Sequence, residues 1–323
     1  MQLLRTPRHV ILSGVRSTES KNLRIMMTFA VKSVPRSFDS LALAQDDKLG
    51  RRLDKLKYDK NTEVGESMYT KNDYIAVFDS GVGGISVLRQ LRKLMPRENY
   101  VYFGDSANAP YGSRPTEQVR QLSLAAAEHL ITKYPVKALV VACNTATAAA
   151  IKALREKYPD LIVIGIEPAL KLAADNCPGG QIGVMATEVT LREEKFDRLM
   201  HRFDRDCAVY KIPAPGVVQL IEAGQGDSEE MISLLHQLLD PYAGKLDALV
   251  LGCTHYPFVK RNISHILGEK TVILHGGQGT ARETMRRLAE KDLLRSGEGS
   301  VIIENSAADP GFTALSRQLL EQK

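Results

Sequence analysis

One pattern occurs twice in this chain and constrains its fold more than any other. Lys137-Ala138-Leu139-Val140-Val141-Ala142-Cys143-Asn144-Thr145 returns, loosely, as Asp247-Ala248-Leu249-Val250-Leu251-Gly252-Cys253-Thr254-His255. In each copy an aliphatic run reads as a parallel strand buried on both faces. A small residue follows, then a cysteine, then residues with short polar side chains. Open α/β sheets bind ligands beyond the carboxyl ends of their strands, so both thiols arrive where such sheets do chemistry. Two such strand ends, about a domain's length apart, predict two α/β halves that each present one thiol to a shared cleft. Free cysteine is also among the most buried residue types, and either thiol alone reads as inert core. The matched pair moves the reading towards function.

The chain around these copies keeps the same alternation. Ile75–Phe78 reads as a short strand, followed by the glycine-rich Asp79-Ser80-Gly81-Val82-Gly83-Gly84 and an amphipathic helix from Ile85 to Met95 that stops at Pro96. Strands are expected at Tyr100–Phe103, Leu161–Ile166, Gln181–Ala186, Ala208–Ile212 and Thr271–Leu274. Helices are expected at Thr116–Lys133, Ala146–Tyr158, Leu191–Phe203, Val217–Ala223, Glu229–Leu239 and Arg261–Leu267, with helices alone after Leu274. The fold class is therefore α/β, with two similar doubly wound parallel-sheet domains and the site between them. One domain is expected over residues 74–166 plus about 276–323, carrying Cys143, and the other over 167–275, carrying Cys253.

Charge separates this body from what precedes it. Residues 1–73 hold 14 of the 43 Lys/Arg and 9 of the 38 Asp/Glu, which leaves 29 of each for the rest of the chain. The body is neutral, which argues against nucleic-acid binding by the folded part. The leader, residues 1–70, lacks periodicity. Up to Arg36 it is basic with a single acid, Glu19, as in a transit peptide. It reads equally as a disordered tail, or as sequence upstream of a true start at Met68, and residues 46–60 are compatible with a short solvated helix. No run approaches the roughly 18 apolar residues of a membrane span. Four cysteines without a CxxC pair point to a reducing compartment, the cytoplasm. A metal site from Cys143, Cys253 and His255 lacks the local pairing of zinc ligands.

Several other residues are candidates for chemistry. The glycine-rich turn has neither a P-loop lysine nor dinucleotide spacing; it offers close backbone approach and free N–H groups suited to a carboxylate. Asp79, at a strand end, reads as a helix N-cap, a general base or an ammonium anchor. The Tyr111-Gly112 step lies among turn formers and offers backbone donors. His255, two residues past Cys253, reads as catalytic, whereas His201, His236 and His265 read as surface residues. Glu222 reads as an exposed helix-end carboxylate, and Cys177 and Cys207 have no assigned role.

Asp79-Ser80-Gly81-Val82-Gly83-Gly84, Pro110-Tyr111-Gly112, Ala142-Cys143-Asn144-Thr145 and Gly252-Cys253-Thr254-His255-Tyr256-Pro257, in this order, resemble the glutamate racemase family from Tyr74 to about Arg287. The resemblance implies a cofactor-free and metal-free enzyme, often a homodimer, that interconverts L- and D-glutamate to supply peptidoglycan. It implies that Cys143 and Cys253 are the proton acceptor/donors on opposite faces of Cα. Asp79 is then the partner of Cys143, and His255 and Glu222 are the partners of Cys253. Asp79, Ser80, Tyr111, Gly112, Asn144, Thr145, Thr187, Thr254 and His255 are the implied substrate-binding set. The chain departs from the family's usual pattern at Glu188-Val189-Thr190, at Ala214-Pro215-Gly216 and at His275-Gly276. The chemistry fits the residues: racemisation takes a weakly acidic proton from one face and returns one to the other, and a thiol near pKa 8.5 can serve either way.

Overall fold

The computed structural model describes residues 68–167, 169–192 and 207–322. All but the last few residues of the leader, including the helix considered at 46–60, lie outside them. So does most of the helix expected at Leu191–Phe203, of which Leu191 and Arg192 are described, at the end of a helix Glu188–Arg192.

Two parallel sheets carry the described chain. The first contains β1 (Tyr74–Asp79), β2 (Asn99–Gly104), β3 (Val136–Val141), β4 (Ile162–Gly165) and β9 (Ser300–Asn305), in the order β4-β3-β1-β2-β9. The second contains β5 (Gln181–Ala186), β6 (Ala208–Pro213), β7 (Ala248–Leu251) and β8 (Val272–His275), in the order β6-β5-β7-β8. All pairings are parallel. Alternate residues of β1 serve two cores: Ile75 and Val77 pack in one, Ala76 and Phe78 in the other. The first of these cores also takes Met185, Leu249 and Leu251 from the second sheet, so the two sheets share an apolar layer. This two-sided burial explains why the strand sequences read as unbroken apolar runs.

Helices follow the strands: α1 (Ile85–Leu94), α2 (Thr116–Lys133), α3 (Asn144–Lys157), α4 (Leu170–Asn176), α5 (Glu188–Arg192), α6 (Val217–Glu222), α7 (Glu229–Leu239), α8 (Lys260–Leu267), α9 (Gly277–Glu290) and α10 (Pro310–Glu321). Three differences from the sequence expectations matter. Ser300–Asn305 forms a strand, not helix; its Val301-Ile302-Ile303 run pairs with β2 at the sheet edge. The short α4 was not expected. Helix α3 starts at Asn144, two residues early, with Cys143 as its N-cap.

The topology places the repeated motif twice in the same position. In the first sheet the chain runs from β1 to β2 on one side, then to β3 on the other, so the order reverses between β1 and β3. In the second it runs from β5 to β6, then to β7 on the opposite side. The crevice beyond such a reversal is where open α/β sheets bind ligands. Beyond β3, the Ala142 N–H donates to the Phe78 carbonyl of β1 at 2.8 Å; beyond β7, the Gly252 N–H donates to the Met185 carbonyl of β5 at 2.8 Å. Each cysteine is the next residue.

Candidate active site

Both thiols line one cavity of about 400 Å³, together with Ser80, Tyr111, Gly112, Asn144, Thr145, Thr187, Glu222, Thr254 and His255. Of the candidate residues, Asp79 alone is missing from its wall. It is fully buried, with Oδ1 accepting from the Gly81 N–H at 3.0 Å and Oδ2 from the Thr254 hydroxyl at 3.1 Å. This corrects one expectation: the N-cap of α1 is Gly84 rather than Asp79. Burial pushes the Asp79 carboxyl up to about 6, against the opposing influence of His255 and of the two donors.

The two thiols have different surroundings. Cys143 is 6% exposed. Its Sγ lies 3.4 Å from the Ser80 hydroxyl, and it receives a hydrogen bond from the Ala146 N–H in the first turn of α3. Burial, followed by the Asp79 charge, pushes this thiol up to about 12, although those two donors favour the thiolate. Cys253 is less buried. Its Sγ is 3.6 Å from Nδ1 of His255, whose Nε2 is 2.6 Å from Glu222 Oε1. Burial acts to lower the imidazole, but its bonds to Cys253 and Glu222 override this and hold it well above the usual histidine range. Glu222, at the end of α6, therefore reaches the thiol only through His255 and is no exposed helix-end carboxylate.

The glycine-rich turn behaves differently from the anion cradle expected of it. The Gly81 N–H is taken by Asp79 and the Val82 N–H by Glu222 Oε1 at 2.8 Å, so protein carboxylates already occupy these donors. The first N–H groups of α1, from Ile85 to Val87, bond back to carbonyls of the same turn. Close approach is what the glycines provide. A Cβ on Gly81 would run into the Glu222 carboxylate, and one on Gly83 into His255 and Thr254.

The remaining candidates take quieter positions. The Tyr111 hydroxyl donates to Asp105 at 2.6 Å, and Gly112 packs closely against the Thr187 side chain. Thr187 Oγ1 and Thr190 Oγ1 lie 2.9 Å apart. Sequence reasoning missed Ser113, Thr190, Arg192 and Gln219 in the wall; their polar side chains carried no signal beyond a place near motif residues. Among the described residues no group of three or more His, Cys, Asp or Glu side chains is arranged to hold a metal ion, including Cys143, Cys253 and His255. Cys177 and Cys207 lie outside the cavity wall, with the Cys207 Sγ 3.4 Å from the Cys177 carbonyl. No helix among the described residues is long and apolar enough to cross a membrane.

Paired strand-end cysteines across one cleft define a class, and comparison with known proteins identifies it. The Asp/Glu/Hydantoin racemase family profile matches residues 84–284. The chain belongs to this family and is an amino-acid racemase. Within the family it stands among the glutamate racemases. It is 47% identical over 256 residues to the glutamate racemase of Clostridium perfringens (strain ATCC 13124), covering 78% of this chain and 98% of that protein. Its fold is similar to that of a Bacillus anthracis glutamate racemase, with TM-score 0.70, 32% identity and coverage of 78% of this chain and 96% of that one. It is also similar to the Escherichia coli glutamate racemase in complex with L-glutamate and the activator UDP-MurNAc-ala, with TM-score 0.68, 32% identity and coverage of 76% and 92%.

Proposed function

We propose that this chain interconverts L- and D-glutamate without a cofactor, by moving protons at Cα between Cys143 on one face and Cys253 on the other. The observation that carries the reading is the matched pair of thiols, each two residues past a strand that pairs at its sheet's reversal point, lining one cavity. In one direction the Cys253 thiolate takes the Cα proton of L-glutamate and becomes a thiol. The electron pair left on carbon is delocalised into the α-carboxylate, and the Cys143 thiol then delivers its proton to the opposite face and becomes the thiolate. The reverse direction runs from D-glutamate with the roles exchanged. An ammonium group entering the cavity adds positive charge beside both sulfurs and favours their ionised forms. Asn144 and Thr145, in the first turn of α3, are suited to hold the α-carboxylate, where the N-terminal end of a helix favours negative charge.

The choice of glutamate rests on the relatives, one of which holds L-glutamate. On the same resemblance, the D-glutamate supplies peptidoglycan synthesis, the enzyme works in the cytoplasm as a homodimer, and residues 74–166 with 276–323 and residues 167–275 form its two domains. Incubation with L-glutamate in deuterated water tests the reading. Optical activity should decay to zero while one deuterium enters at Cα, and EDTA should change nothing. No exchange, or activity lost to EDTA and restored by zinc, overturns it.

A further inference from the structure

Ser86, in the first turn of α1, belongs to no motif and does not line the cavity, yet it is 4% exposed and its hydroxyl points across the protein. Buried hydroxyls need a partner. The Ser86 Oγ donates at 2.7 Å to the carbonyl oxygen of Thr254, between Cys253 and His255. The Thr254 side chain is held by the first sheet as well, through its bond to Asp79. The Cys253–His255 segment leaves the second sheet but is gripped at two points from the first, by Asp79 at the end of β1 and by Ser86 in the helix α1.

We propose that Ser86 is a positioning residue for the Cys253 half of the reaction, fixing the Thr254–His255 peptide and with it the aim of the thiol and the imidazole. The inference rests on the two-thiol reading above. The His255 ring has to keep Nδ1 near Sγ while Nε2 stays on Glu222, so a small shift of its backbone spoils one contact or the other. Misplacements of about 1 Å can cost on the order of a hundredfold in rate. Cys143 is anchored independently: the Ala142 N–H bonds to Phe78, and the Thr147 N–H bonds to the Cys143 carbonyl. Loss of the Ser86 hydroxyl should therefore act on one half only.

Overall turnover cannot reveal this. Enantiomers have equal free energy, so kcat/KM must remain equal in the two directions in every variant. A glutamate analogue with a leaving group at Cβ separates the halves, because the carbanion made by one thiolate expels that group before reprotonation. Ser86→Ala in the full chain should slow elimination from the enantiomer that the Cys143→Ser variant still processes by about tenfold, leaving the other within about twofold. Ser86→Thr, which keeps the hydroxyl, should restore the slowed rate. Where Ser86→Ala is too unstable to assay, Ser86→Cys, similar in size with a weak donor, takes its place. Equal slowing of both enantiomers, or wild-type rates for both, overturns the role of Ser86. If Cys143→Ser and Cys253→Ser eliminate the same enantiomer, the two-thiol reading fails instead, and the two failures are distinguishable.

Discussion

The Cys143 and Cys253 strand ends share a topology but not a chemistry. Cys143 sits deep at the start of a 14-residue helix, with a hydroxyl and a backbone N–H beside it and its ionisation opposed by burial. Cys253 is more open and rests on an imidazole that is itself held by a carboxylate. A symmetric reaction does not need symmetric bases. On the proposed mechanism it needs one thiolate and one thiol at any moment, and burial opposes the ionised form at Cys143. The sheets set the positions of the sulfurs, and the side chains behind them differ.

The largest effect should come from erasing either sulfur. Cys143→Ser and Cys253→Ser should each lower racemisation by about 10⁴-fold or more, because an unactivated serine stays protonated at working pH; a polarimetric assay with L- and with D-glutamate reads both. A smaller, one-sided loss is expected for Glu222→Gln. Removing the carboxylate lets the His255 imidazole fall towards its ordinary range, so the Cys253 half should slow by about 10–100-fold and the alkaline limb of the pH profile should move to lower pH. Equal loss in both halves would remove the asymmetry.

Asp79 gives an effect on stability. Its carboxyl is pushed up from 3.8 to about 6 in the fold, so folding favours the protonated form. That contribution is complete below the unfolded value and is lost as pH rises through about 6. Asp79→Asn should therefore melt later than the parent at pH 7, by on the order of 1–3 kcal/mol, and the gain should vanish near pH 4. Thermal melts across that range check the sign, and a variant less stable at pH 7 contradicts it. The smallest effect is expected from deleting residues 1–67, since the motif residues begin at Asp79. Steady-state turnover should then stay within about twofold.

The sequence made one level of this arrangement legible and hid another. The repeated aliphatic run and its terminal cysteine could be read because a strand buried on both faces leaves an unbroken local signature, whereas most of the remaining candidates from Ser80 to Glu222 came from the family resemblance of the motifs. The bonds that join the sheets could not be read that way. Ser86 to Thr254 spans 168 positions and Val82 to Glu222 spans 140, and nothing local in a serine or a glutamate announces such a partner. The glycine-rich turn is hidden for the same reason: its donors read as free in the sequence, and Asp79 and Glu222 take two of them in the fold. Strand β9 is a different case, since its β-branched run was visible but lay beyond the last motif.

The central claim is that the two thiols face opposite sides of one Cα. Single-cysteine variants given each enantiomer of the leaving-group analogue test it most directly. Cys253→Ser, with only the Cys143 thiolate, should eliminate from the D enantiomer alone, and Cys143→Ser from the L enantiomer alone, each at a rate within about tenfold of the parent's. Elimination from the same enantiomer by both variants would contradict opposed faces and leave a one-base mechanism in its place.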